Sequence, residues 1–133
     1  MKKRLVVGLG NANVPADAIG IQIAQALAEC DDLPDDIEII CAGTDLLRVA
    51  DQLRDRDIII LIDAAVSPND AAGTVFCEHG SPRLANVRQD AHHLSAVQAL
   101  DLIRWSDDRV RRALCFWYLP IVSAPDTAAQ TGL

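Results

Sequence analysis

The 133-residue sequence contains no apolar run approaching the roughly 20 residues that a membrane-crossing helix needs. Met1-Lys2-Lys3-Arg4 followed by Leu5-Val6-Val7 imitates the charged start of a secretory leader. The apolar stretch stops at Gly8-Leu9-Gly10-Asn11 and no small-residue cleavage site follows, so a leader is not expected. Positive charge is in deficit. Twelve Lys and Arg face 19 Asp and Glu, a formal net charge of -7, which argues against nucleic acid as a partner because phosphate binding needs a basic face. The four cysteines, Cys30, Cys41, Cys77 and Cys115, form neither a C-x-x-C pair nor a zinc spacing. They are expected to be buried, reduced thiols of a cytoplasmic chain. No G-x-S-x-G elbow is present, so a serine nucleophile lacks its usual setting. Gly8-Leu9-Gly10-Asn11-Ala12-Asn13 begins like a dinucleotide fingerprint, but the third glycine is missing and Cys41 stands where the ribose-binding acid should end the second strand. NAD binding is therefore excluded.

What remains is the composition of a folded α/β protein, half hydrophobic and 23% charged, of a length that fits one domain over residues 1–133. Leu5–Leu9 reads as a first apolar strand entering a turn at Gly10-Asn11. A helix is expected from Ala16 to Cys30, with Ile19, Ile23, Leu27 and Ala24 forming its apolar stripe. Ile37–Cys41 is a second strand, ended by Ala42-Gly43. Thr44 or Asp45 then caps a helix that turns Leu46, Val49 or Ala50, and Leu53 inward. Ile58–Ile62 is apolar at every position, as suits a central parallel strand covered on both faces. Gly73–Glu78 is a shorter strand near an edge. A helix from His92 to Trp105 buries Leu94, Val97, Leu100 and Ile103, and Ala113–Val122 is a last strand interrupted by Pro120. Alternating strands and helices predict a three-layer α/β/α sandwich with a mostly parallel, twisted sheet, of the phosphorylase/hydrolase-like kind.

In such sheets ligands bind beyond the carboxyl ends of the strands. The Gly8–Asn11 turn, the Cys41–Thr44 turn and Asp63 all fall on that rim. An acid closing a buried aliphatic run is costly unless it faces a site or has partners, although a turn or cap aspartate explains Asp63 equally well. Asp17 lies on the same rim, where a first-turn aspartate stabilised by the helix dipole is the simpler explanation. His92 and His93 open a helix and diverge by about 100°, so at most one readily joins a given site. Two carboxylates and an imidazole would form an adequate O/N set for a divalent transition metal. Spacing alone does not bring the three together.

The order of these pieces resembles the hydrogenase maturation endopeptidases. Gly8-Leu9-Gly10-Asn11 followed by Asp17-Ala18-Ile19-Gly20 is similar to their opening, and Ala42-Gly43-Thr44 to their G-G-T turn. Ile62-Asp63-Ala64 with Gly73-Thr74-Val75, and Ala91-His92-His93-Leu94-Ser95, resemble their third-strand end and a helix start. The resemblance implies an endopeptidase that clips a C-terminal extension from the large-subunit precursor of a nickel–iron hydrogenase after nickel insertion. It implies Asp17, Asp63 and His92 as the residues that read nickel, with Asp17 also positioning or deprotonating the water. It further implies a substrate cleft at Gly10, Asn11, Gly43, Thr44 and His93. The nickel would arrive with the substrate, and no permanent cofactor is expected.

The sequence departs from the family pattern at three places. Ala16 replaces the first acid of an acidic pair, and Cys41-Ala42 stands where the family usually has Asp-Gly. The chain also ends at Leu133, where members continue into a final helix, so truncation or an oligomer covering the sheet face is expected. These departures leave a second reading, a degenerate maturation factor that binds the hydrogenase subunit without cutting. A remote third is a peptidyl-tRNA hydrolase-like esterase, whose V-G-L-G-N turn is shared. That family needs a histidine and an asparagine soon afterwards and a basic surface; here Ala18-Ile19-Gly20 has no such histidine and the charge has the wrong sign.

Overall fold

The computed structural model describes residues 2–65, 71–79, 96–110 and 113–118. Its elements are β1 (Arg4–Leu9), a 3₁₀ turn (Pro15–Asp17), α1 (Ile19–Ala28), β2 (Ile37–Gly43) and a 3₁₀ segment (Leu46–Leu53). They continue with β3 (Ile58–Ala64), β4 (Val75–His79), α2 (Ala96–Ser106) and β5 (Ala113–Tyr118). The five strands form one sheet in the order β2-β1-β3-β5-β4, which makes β3 its central strand. Pairings of β1 with β2, β1 with β3, and β3 with β5 are parallel; β4 joins antiparallel at the edge. The expected mostly parallel α/β sheet is therefore observed, and Val75–His79 takes the expected edge position.

The two faces of the sheet are covered differently. On one, Leu5, Val7, Ile59 and Leu61 pack with Leu46 and Leu53 of the 3₁₀ segment and with Ala99, Leu100 and Ile103 of α2. Removal of these aliphatic side chains from water is the main driving term for the fold. The other face is closed by α1, and here the contact is backbone to backbone. A Cβ on Gly8 would come within 2.6 Å of both the Ala24 Cβ and the Gly20 carbonyl oxygen. A Cβ on Gly20 would come within 2.3 Å of the carbonyl oxygens of Leu9 and Ile62.

That close approach corrects the expected stripe of α1. Gly20, Ile21 and Ala24 are its buried residues, while Ile19, Ile23 and Leu27 are only half-buried on its flanks. At Gly20 and Ala24, which lie directly over Gly8 and the ends of β1 and β3, nothing larger fits between helix and strand. The helix is also shorter than Ala16–Cys30, since Pro15–Asp17 forms a separate 3₁₀ turn. The segment after β2 is 3₁₀ rather than α, with non-helical backbone at Val49; it is capped as expected by Asp45, whose carboxylate accepts from the Leu47 N–H at 3.0 Å. Strand β2 runs through Ala42 to Gly43 instead of stopping at Cys41. The cysteine expectation also needs correcting. Cys30, Cys41 and Cys77 are free but exposed. Residues 92–95, 97, 115 and 119–122, on which the start of the last helix, Val97, Cys115 and the end of the last strand depend, carry no described side chains or lie outside the described residues.

Candidate functional site

Strand β1 has β2 on one side and β3 on the other, so the chain order turns back beside it. A crevice beyond the carboxyl ends of the strands at such a point is where open α/β sheets bind ligands. Gly10 follows β1 there with φ +134°, a conformation that favours glycine. A Cβ at Gly10 would sit 2.0 Å from the Asp17 carbonyl oxygen, so the loop that follows folds back directly onto it.

That loop is held by its own hydrogen bonds. Asn13 N–H donates to Asn11 Oδ1 (2.9 Å), Val14 N–H to the Asn11 carbonyl (3.1 Å) and Asp17 N–H to the Val14 carbonyl (2.9 Å). Asp17 closes it from the other side, its Oδ2 accepting the Asn11 N–H at 2.9 Å. The half-buried Asp17 carboxylate is thereby fixed at the end of β1 rather than swinging in solvent. The Gly10 N–H donates to the Gly43 carbonyl at 2.8 Å, which ties the β1 and β2 ends together. Gly43 is left-handed (φ +66°) with open space where a Cβ would be, and Thr44 beside it is exposed. Gly10, Asn11, Gly43 and Thr44 thus lie on one continuous stretch of rim.

Asp63 lies within β3, one residue before its end, and is 3% exposed. Its Oδ1 accepts the Ala64 N–H at 2.8 Å. Burial pushes its carboxyl up to about 7, and the Ala64 hydrogen bond opposes that rise. The 3₁₀ turn carrying Asp17 packs against β3, and Gly20 touches the Ile62 carbonyl immediately before Asp63. Asp17, in the turn that follows β1, and Asp63, within the neighbouring strand β3, therefore occupy the same rim.

His92 and His93 lie outside the described residues. Among the described residues no group of three or more His, Cys, Asp and Glu is arranged to hold a metal ion. The axis of α2 can be followed, however. Its last turn leads into Asp107–Val110, which meets Arg54 and Asp55 at the amino ends of the strands. The first turn of α2 consequently points toward the carboxyl rim.

Sequence reading gave no sign of Arg56, the other buried charged residue among those described, 4% exposed. It donates to the carbonyls of Lys2 (2.6 Å) and Gln52 (3.0 Å) and pairs with Glu38 at 2.8 Å. It lies within the alternating run Arg54-Asp55-Arg56-Asp57, which looks like a solvated surface.

No protein-family model matches the chain. It is 30% identical over 118 residues to the hydrogenase 2 maturation protease of Escherichia coli (strain K12), covering 87% of this chain and 72% of that protein. It belongs to the hydrogenase maturation protease family. The solved structure of the hydrogenase-maturating endopeptidase HybD from E. coli matches with a TM-score of 0.76 at 29% identity, over 92% of this chain and 77% of that one. An endopeptidase from E. coli solved in solution matches with the same TM-score at 26% identity, over 98% and 85%. The hydrogenase maturation protease HycI of Thermococcus kodakarensis, 18% identical with a TM-score of 0.70 over 92% and 76%, shares the fold. In this member of the hydrogenase maturation proteases, Asp17 in the turn after β1 and Asp63 in β3 both lie at the carboxyl rim of the sheet.

Proposed function

We propose that the protein is an endopeptidase that removes the C-terminal extension of a nickel–iron hydrogenase large-subunit precursor after nickel insertion, with the nickel carried by the substrate as its recognition element. The observation that carries this reading is Asp63, a carboxyl buried at the end of the central strand and pushed up to about 7 by desolvation. Such a group gains most from meeting a cation, because contact ionises it and relieves the cost of burial. Asp17, fixed by the Asn11 N–H, supplies a second carboxylate on the same rim. In the proposed hydrolysis Asp17 positions a water and accepts its proton as the oxygen adds to the scissile carbonyl. The C–N bond then breaks and the leaving amine takes up the proton. The metal in the substrate polarises the neighbouring groups. In this reading His92 completes the nickel-reading set and His93 contributes to recognition of the substrate. Free, exposed thiols at Cys30, Cys41 and Cys77 fit a reducing, cytoplasmic setting.

Incubation with nickel-loaded precursor, followed by mass spectrometry, tests the reading. The expected result is loss of the extension with wild-type protein and none with Asp17→Ala or His92→Ala; full cleavage by both variants removes the site assignment. Ala16 and the exposed Cys41 favour one other reading, a maturation factor that binds without cutting. Stable binding of the precursor with no loss of mass is its signature.

A further inference from the structure

We propose that the open outer edge of β2 is the docking track for the substrate's extended segment, which adds to the sheet as a sixth strand and is led along β2 to the rim. This inference rests on the peptidase reading above and names how that substrate is held.

The register shows which main-chain groups are available. In a parallel pair, the residues of one strand alternately point their N–H and C=O toward and away from the partner. The Arg4 N–H donates to the Asp36 carbonyl at 3.1 Å, and Arg4 is in register with Ile37. The main-chain groups of Asp36, Glu38, Ile40 and Ala42 therefore face β1, and those of Ile37, Ile39 and Cys41 face outward. Ile37 is already satisfied within the chain. Its N–H donates to the Pro34 carbonyl (3.2 Å), and its carbonyl accepts from Lys2 Nζ (3.4 Å). Ile39 and Cys41 offer two donors and two acceptors to an edge beyond which no described strand lies.

Edge strands are normally guarded by Lys, Pro, a bulge or an inward charge. On β2, with the sequence IEIICAG, Glu38 is the one charged residue and it is taken by Arg56, while the register irregularity of the β1–β2 pair falls past Cys41, at Ala42, and leaves Ile37–Cys41 in regular register. Ile39 and Ile40 are half-exposed and Cys41 is exposed, so the open half of the strand is its carboxyl half. That half ends at Gly43, whose carbonyl is bonded to Gly10 at the rim. A peptide paired with Ile39 and Cys41 thus reaches the crevice within a residue or two. At the other end a shallow groove continues past Leu33 and Ala28 to Asp35 with Lys2 on its wall, and Asp31 and Asp32, exposed and next in sequence, leave that end acidic on balance. The matching segment is extended, apolar where it lies against Ile39 and Cys41, and basic at the end away from the rim. This mode of recognition, main-chain pairing with alternate side chains in pockets, is general for exposed sheet edges.

Residue-resolved amide exchange on the full protein, alone and with nickel-loaded precursor, tests the track. Ile39 and Cys41 should slow at least tenfold on binding, while Glu38 and Ile40, already bonded to β1, stay unchanged; this alternation is not produced by general burial. Ile39→Pro removes an outward N–H at a position where an edge strand tolerates proline. It should raise KM at least tenfold with kcat within twofold. Equal exchange at Ile39 and Cys41 in free and bound protein overturns the inference. So does slow exchange in the free protein that Ile39→Pro abolishes together with a dimer, since a second copy then holds the edge. Cleavage of precursor with an unprotected edge sinks only the track, whereas precursor neither bound nor cut sinks the peptidase reading and the track with it.

Discussion

Two buried charges bracket the central strand, and the protein treats them in opposite ways. Arg56, two residues before β3, is surrounded by acceptors: two main-chain carbonyls and the Glu38 carboxylate. Around it the amino ends of the strands carry further ion pairs. Arg54 and Arg109 both reach Asp107, whose carboxyl is held well below the usual range by hydrogen bonds from the Arg109 side chain and backbone and then from Arg54. Asp63, at the other end, is as deeply buried, yet desolvation dominates it and its carboxyl is pushed up to about 7. Arg56 holds its charge among fixed partners, whereas at Asp63 desolvation outweighs the Ala64 hydrogen bond. A carboxyl held high contributes nothing against folding below the unfolded value near 3.9; it weakens the fold progressively as pH rises toward 7. A carboxyl held low, as Asp107 is, contributes stability above the unfolded value that disappears on acidification. Acid therefore loosens the amino pole and relieves the carboxyl pole. A carboxyl raised by burial at a strand end is the kind of group that the proposed nickel-reading role would draw on.

The sharpest way to break this comparison is Asp63→Asn. The amide keeps an acceptor for the Ala64 N–H but cannot ionise. Processing of nickel-loaded precursor should fall about a hundredfold, because a neutral amide cannot supply the carboxylate that meets the substrate's nickel. Urea denaturation should show a gain that grows from nothing near pH 4 to as much as about 4 kcal/mol at pH 8. A variant less stable than wild type at pH 8 would contradict the assignment of desolvation as the cause. Arg56→Met should do the reverse, losing roughly 3 kcal/mol by stranding Glu38 and two carbonyls, with processing per folded molecule unchanged. The two rim glycines sharpen the picture further. Gly10→Ala meets the Asp17 carbonyl and should lose about 2 kcal/mol, together with the placement of Asp17 and hence activity. Gly43→Ala has open space and only its positive φ to overcome, about 1 kcal/mol by the same measurement. The smallest effect belongs to the exposed Arg4–Asp36 pair, where Asp36→Asn should leave the thermal midpoint nearly unmoved at ordinary salt.

Most of the sheet could be read from the chain, because continuous aliphatic runs bounded by glycine and acidic residues carry strand signals that survive without tertiary context. Ile58–Ile62 announced the central strand, and the carboxyl-end rule alone put Asp17 and Asp63 on one rim. The inner face of α1 was not legible from hydrophobicity. There Ile19, Ile23 and Leu27 mark the flanks, and Gly20 and Ala24 meet Gly8 of β1 at the centre, since close packing selects for absence of side chain. The 3₁₀ form of Leu46–Leu53 escaped for a related reason: inward residues spaced by three or four suit either helix type. Arg56 was hidden because its burial depends on carbonyls of Lys2 and Gln52, which no local pattern reports. His92 entered through family resemblance, and the described residues do not include it.

The meeting of Gly20 with the carbonyls of Leu9 and Ile62 has a mechanical consequence. Gly10 follows Leu9 and Asp63 follows Ile62, so the start of α1 seats on the two peptide units from which the rim is hung. Side chains act as springs, able to change rotamer and absorb a shift; main-chain atoms in contact act as stops. The spacing between the strand ends is thus gauged by rigid parts. Only Ala18 and Ile19 separate Asp17 from this stop, which leaves no slack for an inserted or deleted residue. In a lineage that drifts freely elsewhere, the length of this short span is what selection would have to hold constant.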